Sequence, residues 1–193
     1  QHIPCNLGPY QLVLFHTKVA HELSHSPYNK RRASVERAWE LLKHLKPKDS
    51  VVEALPFLPM EVLEQHRDKL SETDYPLARF TLDEQLRVEN AIIAIKAKDY
   101  SALGALLNQS HHGLSKQYQV SCPELDFMAH WSQRQTGVLG ARMMGGGFGG
   151  CTLNLIHKNE LSLWSKEALN IYQKKFGIQG EVYPVRLAKG ILG

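Results

Sequence analysis

Apolar and polar positions along the chain change their period, and the changes divide it into elements. From Tyr10 to Lys18 the sequence YQLVLFHTK is a short apolar run behind a Gly-Pro turn, which predicts a buried strand. The stretch SPYNKRRASVERAWELLKHLK then predicts a helix with Ser26 as N-cap and Pro27 at its first position. Val35, Ala38, Leu42 and Leu45 recur at helical spacing and face the core, and Pro47 ends the run. Residues 50–78 are the least periodic part, broken into short turns or helices by Pro56, Pro59 and Pro76. Thr81 and Glu84 have capping-box spacing and predict a helix from there to about Lys98, with Leu82, Leu86 and Ile93 along one side. DYSALGALLNQSHHGL predicts another helix, ending near Gly113. Ser121 and Glu124 form a second capping box ahead of the amphipathic ELDFMAHWSQRQ. Beyond Gly137 the period becomes two: Leu139, Ala141 and Met143 alternate before a glycine run, and Cys151, Leu153 and Leu155 alternate with Thr152 and Asn154 after it. Leu161, Trp164, Ala168 and Ile171 mark a last helix, stopped by Gly177. EVYPVRL follows as an edge strand, because Pro184 cannot donate to a ladder. The elements together predict an α+β fold, a small, mainly antiparallel sheet packed by several helices gathered on one face.

Composition narrows what such a domain does. The 193 residues suffice for one ordinary domain with a real core. A hydrophobic fraction of 43% and a charged fraction of 22% are those of a globular chain. The net charge of +4 is mild, and only Lys30, Arg31 and Arg32 are consecutive, which argues against a nucleic-acid stripe. No apolar run reaches the length of a membrane span. Cys5, Cys122 and Cys151 are far apart and odd in number, so they are expected as thiols of a reducing compartment. The N-terminal QHIPCNLGPYQL lacks signal-peptide patterning and an initiator methionine, and reads as a processed chain or a piece of a longer one.

The glycine run raises the functional question. In RMMGGGFGGCTL, five of the six residues from Gly145 to Gly150 are glycine. Gly145, Gly147 and Gly150 satisfy G-x-G-x-x-G, but a strand follows where a dinucleotide fold needs a helix. A P-loop would end in Gly-Lys-Ser/Thr, and this run ends Gly-Gly-Cys. The other protein-kinase motifs are missing. Two readings stay open: a tight turn with nothing bound, or a bare corner that lets backbone approach a ligand, phosphate-bearing by its chemistry. Phe148 reads as an anchor packing down, against the alternative of stacking on a ligand. HELSH at His21–His25 matches the zinc pattern H-E-x-x-H, but Pro27 soon after it works against the continuous helix that zinc binding needs. The pair His111-His112 reads as structural, its neighbours facing different directions on a helix.

Three stretches carry a family resemblance. GARMMGGGFGGCTLNLI resembles the third motif of the galactokinases, in the GHMP kinase superfamily, departing at Met144 (usually threonine) and Gly146 (usually alanine). YQLVLFHTKVAHELSHSPYNKRRASVERA and SHHGLSKQYQVSCPELDFM resemble two further segments in the same order. Ala20 and Phe80 stand where arginine and histidine are common. The resemblance implies a GHMP kinase C-terminal domain over residues 1–193, ferredoxin-like, with the N-terminal kinase domain absent. It implies transfer of the ATP γ-phosphoryl to the C1 hydroxyl of galactose, with Mg2+, in the cytoplasm, by the intact enzyme. The catalytic base and metal ligands are expected upstream, so the resemblance assigns no catalytic and no metal-binding residue to this chain, which alone is expected to be inactive. Tyr28 aligns with a sugar-contacting tyrosine, and Gly145, Gly146 and Gly147 with the loop beside the transferred phosphoryl. A valine at Gly147 is then expected to stop turnover while the fold survives. Expected partners are galactose, ATP and the missing domain, with no nucleic acid and no membrane. The alternatives are a non-catalytic sugar- or nucleotide-binding or sensor module and, more remotely, zinc at HELSH.

Overall fold

Alternating and apolar runs pair as one antiparallel sheet: β1 (Tyr10–His16), β2 (Val138–Met144), β3 (Cys151–His157) and β4 (Glu181–Pro184), in the order β2-β3-β1-β4. The computed structural model describes residues 3–19, 27–46 and 52–187, with the backbone alone for Pro27 and Tyr28. Pro184 lies opposite Val13 on the outer strand, where a missing N–H costs no ladder bond. A long helical excursion joins β1 to β2, and one helix joins β3 to β4, so the sheet has the split arrangement of a ferredoxin-like fold. The excursion holds α1 (Pro27–Leu42), α2 (Met60–Gln65), α3 (Asp74–Ala97), α4 (Tyr100–Lys116) and α5 (Pro123–Ser132). The return holds α6 (Leu161–Phe176).

The helices are not confined to one face. Met128 of α5 and Trp164, Ala168 and Tyr172 of α6 bury Val13, Phe15 and Ile156 of the sheet. Leu155 points the other way and packs with Leu7, Ala94 of α3 and Leu103 of α4. A separate cluster joins Ala38 and Leu42 of α1 to Ala78 and Leu82 of α3 through the short segments at 55–63. The excursion is thus long enough to build a helical layer of its own and still cover a second face.

Four further sequence expectations need correction. The helix expected at Thr81 begins at Asp74, because Pro76 is its third residue, where no intrahelical acceptor waits for an N–H. Ser71 Oγ accepts the Asp74 N–H at 3.0 Å, and Thr81 sits inside the helix, its hydroxyl donating to Leu77 O at 2.9 Å. Leu82 is buried, whereas Leu86 and Ile93 on the same stripe are exposed. The second box also fails: Cys122 occupies the N-cap of α5, Pro123 starts the helix, and Ser121 Oγ is buried without a hydrogen-bond partner among the described residues. In β3 the polar partners Thr152 and Asn154 are fully buried, because Asn154 Nδ2 donates to Val13 O and to Thr152 Oγ1, each at 3.1 Å.

Candidate active-site loop

Gly145–Gly150 joins β2 to β3, and its two ends are tied to the rest of the fold. Gly145, Gly147 and Gly150 have φ between +83° and +87°, and Phe148 has φ +59°. At the far end, the backbone N–H and the hydroxyl of Thr17 both donate to Gly150 O at 2.8 Å. Thr17 is itself held by Tyr172 of α6, whose buried hydroxyl donates to Thr17 O at 2.7 Å. In the middle, the Phe148 N–H donates to Val120 O at 2.8 Å, and its ring packs among Phe80, Val120, Leu125 and Met143. Phe148 is therefore an anchor, as read from the sequence. A Cβ on Gly147 would overlap the Val120 carbonyl oxygen. The bareness of Gly147 serves the fold's own packing, and the expectation that valine there would spare the fold is corrected. Gly145 and Gly146 differ: among the described residues a Cβ on either would meet nothing within 4 Å.

The segment 118–120 that receives this loop also receives α1. Arg31 Nε donates to Tyr118 O, and its guanidinium reaches Gln119 Oε1 at 3.1 Å. Gln119 has φ +53°, the left-handed turn that aims Val120 at the loop. One turn of backbone thus registers the start of α1 against the glycines. A cavity of about 620 Å³ opens beside this segment, lined by Lys30, Arg31, Ser34, Arg37, Thr73 and Gln119 among others, and by no residue of the glycine run.

At the near end, β2 is an outer strand whose free edge is occupied by side chains. The Ala141 N–H donates to Asn108 Oδ1 at 2.9 Å, and the Met143 N–H to His111 Nδ1 at 3.2 Å, both from α4. Gln133 Nε2 donates to Ala141 O and Arg142 Nε to Met143 O, each at 2.9 Å. Helix α4 lies this close because Gly104 and Gly140 face each other with no room for a Cβ on either. Arg142 Nη1 stands 3.3 Å from Glu84, which also takes Arg87 at 2.6 Å and the Ser110 hydroxyl. Burial lowers the Arg142 guanidinium pKa against the raising effect of Glu84. Burial likewise pushes His111 down to about 4, outweighing the opposing carboxylate of Asp126.

The family model described as GHMP kinases C terminal matches residues 91–163, a span containing α4, α5, β2, the glycine loop and β3. The galactokinase of Thermotoga maritima is 36% identical over 191 residues, 99% of this chain and 51% of that protein. That of Staphylococcus carnosus is 35% identical over 192 residues, 98% of this chain and 48% of that protein. The crystal structure of Lactococcus lactis galactokinase complexed with galactose superposes on 97% of this chain with a TM-score of 0.86, at 32% identity. The chain aligns with the C-terminal half of the galactokinases. It spans about half the length of the curated relatives it matches, and 47% of the Lactococcus chain. L. major mevalonate kinase in complex with R-mevalonate, 20% identical with a TM-score of 0.52 over 91% of this chain, shares the fold.

Against the galactokinase pattern, Phe80 is a packing residue here, stacked on Tyr118 at 4.9 Å between ring centroids and buried beside Leu114. Tyr28 is the second residue of α1, one turn before Arg31, so the helix that carries it is tied to the segment that carries the loop. Ala20 and His21–His25 lie outside the described residues. Among the described residues no group of three or more His, Cys, Asp or Glu side chains is placed to hold a metal ion. No helix among them is long and apolar enough to cross a membrane. Sequence reasoning missed Thr17, Val120 and Asn108, which act through backbone contacts that leave no compositional signal. Arg31 and Arg142 lay inside the quoted stretches but carried no assigned role.

Proposed function

We propose that this chain is the C-terminal part of a sugar kinase that transfers the γ-phosphoryl of ATP to the C1 hydroxyl of galactose in the cytoplasm. Its 193 residues form one GHMP kinase C-terminal domain that works against an N-terminal domain. The observation that carries this reading is the glycine loop: clamped at Gly147, Phe148 and Gly150, it leaves Gly145 and Gly146 facing open space. Phosphoryl transfer depends mostly on positioning and electrostatics, so a loop with no side chain in the way lets rigid backbone approach the reacting groups. Gly145, Gly146 and Gly147 form that wall, with Gly147 fixing it from behind. Tyr28, carried on α1, contacts the sugar. Bound ATP supplies the phosphoryl group and Mg2+ neutralises its charge, and the other domain provides the metal ligands and the base. The relatives in the comparison are galactokinases, one of them crystallised with galactose, which favours this substrate over a sensor or a zinc enzyme.

The test compares the chain alone with the complete polypeptide, supplied with ATP, Mg2+ and galactose. The chain alone shows no turnover, and the complete polypeptide phosphorylates galactose at about 1–100 per second, as kinases do. Turnover at that rate by the chain alone would contradict the division of labour. In the complete polypeptide Tyr28→Phe raises KM for galactose roughly two- to twelvefold, the range for a lost hydrogen bond, with KM for ATP nearly unchanged. An unchanged galactose KM would remove Tyr28 from the site.

A further inference from the structure

We propose that His111 is a positioning residue for the glycine loop, acting as the neutral Nε2–H tautomer that accepts the Met143 N–H on the free edge of β2. The inference rests on the reading above, in which Gly145 and Gly146 face the transferred group. His111 is fully buried. Its Nδ1 takes the Met143 N–H at 3.2 Å, so that nitrogen carries no proton. The ring proton is on Nε2, which stands 3.4 Å from Asp126 Oδ1, and neither atom has another hydrogen-bond partner among the described residues. The second oxygen of Asp126 accepts the Ser115 hydroxyl at 2.8 Å, which holds the carboxylate under the ring. The His130 ring of α5 meets the imidazole edge-on, with centroids 5.2 Å apart.

The placement matters because Met143 is the last residue of β2 whose backbone turns to the free edge, two residues before Gly145. Its carbonyl is held by Arg142 Nε, so both of its polar groups are fixed by side chains rather than by a neighbouring strand. The chain then turns at Gly145 with φ +85°. The loop is already tied behind at Val120 and Thr17, and His111 sets the point from which it departs. A second proton on the imidazole would oppose Nδ1–H to the Met143 N–H. The groups that face His111 are Asp126 and His130 from α5, Arg142 from β2 and His112 from its own helix; burial, with His130, Arg142 and His112 acting in the same direction, outweighs the opposing carboxylate of Asp126 and keeps the ring neutral.

Nuclear magnetic resonance on the 15N-labelled complete polypeptide tests the positioning directly. At pH 7 the wild-type His111 shows a protonated Nε2 and an unprotonated Nδ1; the reverse tautomer or a doubly protonated ring would overturn the proposal. His111→Phe, which keeps the volume and removes the acceptor, shifts the Met143, Gly145 and Gly146 amides and speeds their hydrogen exchange. His111→Asn, whose side-chain oxygen lies near the position of Nδ1, returns them toward wild type. Unmoved glycine amides in His111→Phe, or equal shifts in both variants, would sink the idea. Where phenylalanine fails to fold, His111→Gln replaces it, its acceptor displaced from the Nδ1 position. In the complete kinase His111→Phe lowers kcat at least tenfold with both KM values changed less than threefold, and His111→Asn recovers most of the loss. Glycine amides that move while kcat stays constant would contradict the loop's part in phosphoryl transfer and leave the positioning by His111 standing.

Discussion

At the scale of single residues, the glycine run separates into two kinds of position that look identical in sequence. Gly147 is bare because the Val120 carbonyl fills the space a side chain would need, whereas Gly146 is bare against open space. Their substitutions therefore part ways. Gly147→Val adds left-handed strain, about 1–2 kcal/mol, to overpacking of about 1–3 kcal/mol. The expected result is a Tm fall on the order of 10 °C, read by thermal unfolding, at roughly 2–4 °C per kcal/mol for a chain of this size. Gly146→Ala meets no atom and no positive φ, and reduces the freedom of the unfolded chain. It holds Tm or raises it slightly, by about 0.4–1 kcal/mol of stability. Equal Tm losses in the two variants would contradict the division. Five glycines in six residues mark a loop with special backbone needs, but only the position of Val120, far back along the chain, decides which glycine meets protein and which meets space.

At the scale of elements, the period changes placed β1, β2, β3, α6 and β4 well, and Pro184 rightly marked an edge. Those segments bury one side against the sheet core, so their alternation follows from local packing. The first capping box misled because Ser and Thr also bond within helices: Thr81 returns its hydroxyl to Leu77 O, and the true start of α3 depends on Ser71 and Pro76. Thr152 and Asn154 defeated the polar-outward rule because Asn154 Nδ2 donates to the Thr152 hydroxyl and to Val13 O beneath the helices. The covering of β2 was not legible, since Asn108 and His111 read as ordinary polar residues of a helix. Their spacing of three residues matches the outward N–H groups of Ala141 and Met143. Asn108→Ala leaves the Ala141 N–H without its acceptor in a buried position, at a cost of about 1–3 kcal/mol. A denaturant titration shows this as a lower midpoint at unchanged slope. Asn108→Asp keeps the acceptor but sets a carboxylate oxygen against Leu139 O in place of the 3.4 Å Nδ2 contact, so it recovers only part of the midpoint lost in the alanine variant. An alanine variant as stable as wild type would mean that the edge is not held by this pair.

For the whole molecule, buried charge sets how stability follows pH. His111 titrates near 4 when folded and near 6.5 when unfolded, so the unfolded state binds more protons between those values. Stability contributed by the neutral ring is complete above about pH 6.5 and falls as pH drops toward 4. The loss is about 3 kcal/mol, at roughly 1.4 kcal/mol for each tenfold change in proton affinity. For Asp74, burial would raise the carboxyl, but bonds from Arg37, Ser34 and Ser71 outweigh it and hold it low. Its contribution is present above pH 3.8 and is lost only as pH falls through its lowered value, a window below that of His111. Unfolding free energies measured from about pH 4 to 7 rise with pH in wild type, and His111→Asn flattens that rise. An unchanged slope in the variant would show that other groups carry it. The split ferredoxin-like sheet, the clasp at 118–120 and the covered edge of β2 all converge on two unshielded glycines in a chain that aligns with the C-terminal half of the galactokinases. The most direct measurement is therefore the steady-state rate of galactose phosphorylation by the complete polypeptide, wild type and Gly146→Leu, with Tm recorded for each. A Cβ at 146 meets nothing within 4 Å among the described residues, and leucine extends from there, so Tm is expected to stay within about 4 °C, the shift for roughly 1 kcal/mol. The account predicts that kcat/KM falls at least a hundredfold, about 2.7 kcal/mol of lost transition-state stabilisation. A leucine variant that turns over galactose at the wild-type rate, with that space filled, would contradict it.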